Sequence, residues 1–285
     1  MFKKRRLLLG GALGLLAANV PFAQDKSAVK PLILGLMPYL STRSLLATYQ
    51  PIANALENEL NRPVQILTAP DFDTFLKRVL IGEYDVVVLA PHYSRIAIKE
   101  YGYKALLMHK APIRSVLVTA RNNPLESVAG LRNQSIAIVE RSAVIVISGA
   151  LWLADEGLKE DVDYHFVETV THSSALHSAI SGKSRAAIVS YAALHLAPPE
   201  LQRDTVIFRE LSQLPGLYYL AHNRLSAPEQ AAIKAALLHF EATAEGQAFF
   251  AKTTHDGFRE TTREDAQLLD RMLPETRRLL GNILS

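Results

Sequence analysis

The amino-acid sequence predicts an α/β protein of two similar lobes, each a mostly parallel sheet flanked by helices. Three observations carry that prediction. From Pro31 onward, short apolar runs alternate with helical patterns of ten or more residues, as parallel βαβ units require. The alternation restarts after residue 113, so two units of about one hundred residues follow one another. No strict short period recurs along the chain, which excludes a solenoid.

In the first unit, Leu32 to Met37 reads as a buried strand and Ser44 to Leu60 as a helix. The strand Val64–Leu67 and a helix from Asp73 to Gly82 follow. Asp85 to Ala90, with three consecutive valines, is the clearest strand; Pro91 ends it and a helix runs on to Tyr101. In the second unit, strands are expected at Ser115–Thr119, Ser135–Val139, His165–Val167 and Ala186–Val189. Helices are expected from Ala143 to Gly157 and from Ser173 to Ser181, with Asn122-Asn123-Pro124 as a turn. Val206–Phe208 and Leu217–Leu220 read as further strands. Pro228 to Leu284 reads as almost wholly helical, broken near His255-Asp256-Gly257 and at Pro274. Strands near 113–121 and 215–222 would join the two units.

The 285 residues include 49% hydrophobic and 21% charged residues, a balance that excludes an intrinsically disordered chain. Cysteine is absent, so disulfides, thiolate metal ligands, a thiol nucleophile and a Cys-linked lipid anchor are all excluded. Lys3, Lys4, Arg5 and Arg6 precede the apolar run Leu7–Ala18, after which come small residues and Pro21. This is the pattern of an export signal, at 1–23 if cleavage follows Ala23. Twelve apolar residues are too few to span a bilayer, which takes about 18–20. Arg5-Arg6 also resembles a twin-arginine signal. The whole chain holds 31 basic and 28 acidic residues; without those four basic ones it holds 27 and 28, a net charge of −1. The apparent basicity belongs to the signal, so no nucleic-acid partner is expected.

Pro38-Tyr39-Leu40-Ser41-Thr42 follows the first strand, and Asp71-Phe72-Asp73-Thr74 opens the second helix. Gly82-Glu83-Tyr84-Asp85 leads into the valine strand, which ends at Ala90-Pro91-His92-Tyr93. Thr171-His172-Ser173-Ser174 opens a helix that ends at Ser181-Gly182-Lys183. This order, over residues 30–285, resembles the phosphate/phosphite/phosphonate substrate-binding proteins of ABC importers. The resemblance implies a type II periplasmic binding protein fold, with ligand in the cleft between lobes and hinge closure around it. It assigns 24–116 and 221–285 to lobe I and 117–220 to lobe II, with a hinge near Val118 and Tyr218. It places Tyr39 at the ligand.

The chemistry of the residues agrees with an anion site. Ligands of open α/β sheets bind beyond the carboxyl ends of strands, where helix N-termini offer unpaired N–H groups to an oxyanion. Ser41 and Thr42, His92 and Tyr93, Ser142, His172 and Ser173, and Ser190 all occupy such positions. Arg43 is a candidate anion clamp or a solvated helix residue. Two departures from the family pattern stand out. The helix after Ser142 starts with the apolar run Ala143–Ile147 where many members carry hydroxyls. No acidic residue lies at 183–190 to hold an ammonium group, which disfavours a zwitterionic aminophosphonate.

No HExxH, Walker-type loop or G-x-S-x-G elbow is present, so neither catalysis, a metal nor a cofactor is expected. The expected protein is a periplasmic monomer, not lipid-anchored, that captures a small oxyanion and hands it to an ABC permease in the inner membrane. The alternative is a sensor of the same fold, presenting its ligand to a receptor kinase.

Overall fold

The computed structural model describes residues 30–40, 42–195 and 197–284. The expected export signal and Ser41 lie outside the described residues.

Strand β1 (Leu32–Leu36) has parallel partners on both sides, β2 (Val64–Leu67) and β3 (Val86–Leu89). All four residues of β3 are buried, as a strand covered on both faces demands. The covering helices are α1 (Thr42–Leu60), α2 (Phe72–Leu80) and α3 (Pro91–Glu100). Within α1, Leu45, Tyr49, Ile52 and Leu56 recur at helical spacing and are fully buried; that buried stripe carries the helix through Pro51. Three antiparallel strands complete this sheet: β4 (Tyr103–His109), β10 (Tyr218–His222) and β11 (Phe258–Arg259), in the order β11-β4-β10-β3-β1-β2. The sequence reading did not predict β4.

The second sheet repeats the plan. Strands β6 (Gln134–Ile138), β7 (Tyr164–Glu168) and β8 (Ala186–Ser190) are parallel. They are joined by the antiparallel β5 (Ile113–Ala120) and β9 (Thr205–Leu214), in the order β7-β6-β8-β5-β9. Helices α4 (Val144–Asp155), α5 (His172–Ile180), α6 (Tyr191–His195) and α7 (Pro199–Asp204) accompany them. Each sheet is therefore mixed, with a parallel core and antiparallel strands added at one side.

The chain changes sheet twice, between β4 and β5 and between β9 and β10. β5, which the sequence reading divided at 116/117, lies wholly in the second sheet, and β10 wholly in the first. The two crossovers run side by side, with the His109 N–H donating to the Leu217 carbonyl at 2.9 Å. Gly216 sits at the closest approach. A Cβ there would lie 2.5 Å from the His109 carbonyl oxygen and 2.8 Å from that of Ala111, so only glycine fits.

The C-terminal segment returns to the first lobe as α8 (Ala227–Ala242), α9 (Ala244–Thr253) and α10 (Arg263–Leu284). The expected break at Pro274 does not occur: α10 continues through it. Leu269, Met272, Leu273, Thr276 and Leu280 form a buried stripe across the proline, and that burial offsets a helix cost of about 3 kcal/mol. Helix α10 binds both lobes. Arg95 of α3 grips Asp270 with two hydrogen bonds of 2.8 Å, and Arg141, ahead of α4, reaches Glu275 at 2.8 Å.

Candidate functional site

In each sheet the central parallel strand has one parallel neighbour on either side, giving the orders β2-β1-β3 and β7-β6-β8. The loops leaving the strands diverge at such a switch point and open a crevice at the carboxyl ends. In the first sheet the crevice segments are 37–40 ahead of α1, and 90–91; in the second they are 139–143 and the Ser190–Tyr191 junction. Tyr39, Thr42, His92, Tyr93, Ser142 and Ser190 thus sit at or next to switch points. His172 and Ser173 follow the edge strand β7.

The structure brings three of these residues into direct contact across the lobes. His92 Nε2 lies 3.0 Å from the Ser142 carbonyl oxygen, and the Tyr93 hydroxyl donates to the same oxygen at 3.3 Å. All three residues are buried. Burial lowers the His92 pKa to about 3, the Ser142 carbonyl opposing it weakly, and burial raises that of Tyr93. Both side chains are therefore neutral, and His92 donates as its Nε2–H tautomer.

The helices that begin here lack side-chain caps. Helix α3 follows Ala90 with Pro91 in its first turn, and α4 follows Ala143; neither preceding residue caps through a side chain. Caps are present on α2 (Asp71), α5 (Thr171), α8 (Ser226) and α9 (Thr243), while the short α7 after Pro198 also lacks one. Ser142 could have capped α4, but its hydroxyl donates instead to the Glu140 carboxylate. Two uncapped helix starts with positive dipole ends therefore meet from opposite lobes. That arrangement suits an anion.

A carboxyl group stands beside them. Burial pushes the Glu140 pKa up, and the charges of Asp73, Glu168 and Asp71 add to the shift, while the Ser142 hydroxyl pulls the other way. The stretch 183–190 carries no acidic residue, as the sequence shows, but Glu140 supplies a carboxyl from beyond the end of β6. Asp71 and Asp73 belong to lobe I, so this group of acids draws on both lobes. Arg141 lies next to it, held by Glu160 of lobe II at 2.8 Å and by Glu275 of α10.

The remaining predicted residues are distributed around this contact. Tyr39 is half-buried and its hydroxyl lies 2.9 Å from that of Tyr49; burial pushes its pKa up to about 12. Thr42 is the exposed first residue of α1. Arg43 is exposed. His172 opens α5, with a buried Nδ1 that has no partner among the described residues and a pKa lowered by burial to about 4. Ser173 is exposed and lines a depression of about 590 Å³ with Thr169, Ser174, His177 and Leu201, all of lobe II. Ser190 accepts the Ala193 N–H at 3.1 Å and so caps α6. None of these residues is joined to the His92–Ser142 contact by a hydrogen bond among the described residues.

Comparison with known proteins places this architecture. Residues 34–266 match the model of the family described as "ABC transporter, phosphonate, periplasmic substrate-binding protein". The chain belongs to that family. Among solved structures, PhnD1 from Prochlorococcus marinus in complex with methylphosphonate is similar at a TM-score of 0.74 and 12% identity, over 87% of this chain and 98% of that one. XAC2383 from Xanthomonas citri, bound to chloride ion, gives 0.75 and 15% over 88% and 99%. The binding protein component of an ABC phosphonate transporter from Pseudomonas aeruginosa gives 0.70 and 12% over 90% and 100%. At these identities the likeness is one of fold. No match was found among curated proteins. Family membership implies a solute ligand, an ABC permease as partner and a periplasmic place of work. No helix among the described residues is long and apolar enough to cross a membrane.

Proposed function

We propose that this member of the phosphonate-binding family captures a small oxyanion, of the phosphonate, phosphite or phosphate class, between its lobes and delivers it to an ABC importer. The observation that carries the reading is the meeting of two uncapped helix starts, α3 and α4, at the His92–Ser142 contact. Backbone N–H groups and neutral hydroxyls can hold an oxyanion there without a buried lysine, because the donors are already oriented and partly shielded from water. Delivery follows from closure: a ligand that touches both lobes binds the closed form more tightly and shifts the population towards it. The permease would then distinguish loaded from empty protein by shape.

Titration calorimetry of the protein without residues 1–23 tests this reading against phosphate, phosphite, methylphosphonate, aminoethylphosphonate and sulfate. At least one should bind and raise the melting temperature, because a ligand of the folded state stabilises it by mass action. The reading fails if none of them binds while an organic cation does.

A further inference from the structure

The turn that opens α4 is held from lobe I at two adjacent residues. Ser142 accepts the neutral hydrogen bonds of His92 and Tyr93 through its carbonyl. Arg141, the residue before it, reaches α10 instead, where its Nη2 donates to Glu275 Oε1 at 2.8 Å. The two attachments use different elements of lobe I, α3 and α10. They also differ in kind, since one is neutral and the other joins two full charges.

Each partner of the charged bond is fixed within its own lobe. Arg141 grips the Glu160 carboxylate through Nε and Nη2 at 2.9 and 2.8 Å, and its backbone N–H donates to the Glu168 carboxylate at 2.8 Å. Its guanidinium also lies 5.5 Å from the centre of the Phe166 ring. All three neighbours belong to lobe II. Glu275 accepts two bonds of 2.8 Å from Arg278 of its own helix. That helix is pinned to α3 by Asp270 with Arg95 and Lys99, and by Arg277 with Glu100. The Arg278 bond, opposed by burial and aided by the charge of Arg141, holds the Glu275 carboxyl below its usual range, so it is ionised at neutral pH. An exposed ion pair contributes little, because it must immobilise two long side chains in water. Here both side chains are already immobilised inside their lobes, and only 18% and 24% of them is exposed. The bond between Arg141 and Glu275 therefore acts mainly as an attraction between lobes.

We propose that Arg141 and Glu275 form a charged latch, which ties the C-terminal helix to the start of α4 and favours the present arrangement of the lobes before any ligand arrives. The latch gives α10 a conformational role beyond covering the first sheet. Its consequence for affinity rests on the oxyanion reading of the cleft; the latch itself does not. A ligand that needs the lobes together binds more weakly as the fraction of protein in that arrangement falls. Salt screens the latch, whereas the neutral His92–Ser142 bond is indifferent to it. The two attachments can therefore be told apart in one protein by ionic strength alone.

The test has a ligand-free part and a ligand part, both on the protein without residues 1–23. Spin labels at Ile81→Cys in lobe I and Ile207→Cys in lobe II, 79% and 40% exposed, report the distance between lobes by pulsed electron–electron resonance. Without ligand, raising sodium chloride from about 20 mM to about 500 mM should lengthen or broaden the distribution. Glu275→Gln should show that distribution already at low salt and respond no further. Chloride acting at the cleft would still act in this variant, so the missing response separates the two causes. Arg277→Gln, which breaks an α10 ion pair inside lobe I, should keep the wild-type response. At low salt the calorimetric Kd for methylphosphonate should be about three- to fivefold weaker in Glu275→Gln than in wild type, and the gap should close at high salt. A wild-type distribution indifferent to salt, a Glu275→Gln variant that behaves as wild type, or an Arg277→Gln variant that loses the response each overturns the latch and leaves the oxyanion reading standing. A wild-type protein that binds no oxyanion overturns that reading, while the distances still decide the latch.

Discussion

His92 of lobe I and Ser142 of lobe II are joined by a single hydrogen bond, 3.0 Å from imidazole Nε2 to backbone carbonyl. Because burial holds the ring neutral, the bond needs no counter-charge and is not screened by salt. Tyr93 adds a second donor to the same oxygen at 3.3 Å. The two residues thus tie the lobes to each other. A neutral hydrogen bond contributes about 0.5–1.5 kcal/mol, so Tyr93→Phe should weaken ligand binding roughly threefold to tenfold. His92→Gln, which retains an amide donor, should weaken it less than His92→Ala. Calorimetric Kd values for the three variants check this ordering.

Glu140 is expected to work against an anion. Its carboxyl lies behind the Ser142 hydroxyl at the start of α4 and is raised by burial and by Asp73, Glu168 and Asp71. Glu140→Gln keeps the shape and an acceptor for Ser142 while removing the negative charge. Affinity for a dianionic ligand such as sulfate should rise, by about threefold or more for roughly 0.7 kcal/mol of relieved repulsion. Wild-type affinity should also improve on acidification as Glu140 takes up its proton, and the variant should lack that part of the response. Paired titrations at pH 8 and pH 5 measure both effects.

Stability should depend on pH through the buried histidines. Burial lowers His92 to about 3 and His172 and His255 to about 4, and His109 moves in the same direction. In the unfolded chain all four titrate near 6.5. The unfolded state therefore binds more protons below that value, so stability is full above about pH 6.5 and declines as pH falls towards 4. At pH 5 unfolding should take up about four protons from these groups, and His172→Gln should reduce the uptake by about one. Melting temperatures against pH, with calorimetric enthalpies, give the proton count.

Gly216 should tolerate no side chain. The contacts that a Cβ would make are with backbone carbonyls of the other crossover, which cannot move aside as a side chain could. Gly216→Ala should cost about 1–3 kcal/mol in urea unfolding. The same substitution at Gly182, where the space is open but φ is +73°, tests strain without a clash.

Local patterns were legible in the sequence, and apposition was not. β3 announced itself because a strand buried on both faces reads as an unbroken apolar run, Val86 to Leu89. β4 did not, since Tyr103–His109 follows a helix directly and pairs with β10 and β11, far downstream. Pro274 read as a break because a proline's local cost is visible, whereas the buried stripe that outweighs it is tertiary. At the site, His92, Tyr93 and Ser142 could be named from their places after strands. Their mutual contact could not, because the acceptor is a backbone carbonyl with no sequence signature. The acidic group around Glu140 has no sequence signature either, because Asp71 and Asp73 lie on the other lobe. The Tyr39–Tyr49 and His109–Tyr219 pairs each join distant segments and leave no local trace.

The central claim is that an oxyanion is held between the lobes and closes them. The chain has no cysteine, so a label pair can be introduced without removing native thiols. Ile81→Cys in lobe I and Val162→Cys in lobe II are 79% and 72% exposed and suit spin labels. Pulsed electron–electron distance measurement on the doubly labelled protein, with and without the tightest-binding oxyanion, reads closure directly. The account predicts a broader or longer distribution without ligand that collapses to a single shorter distance at saturation. A distribution that stays the same at saturating ligand would contradict it.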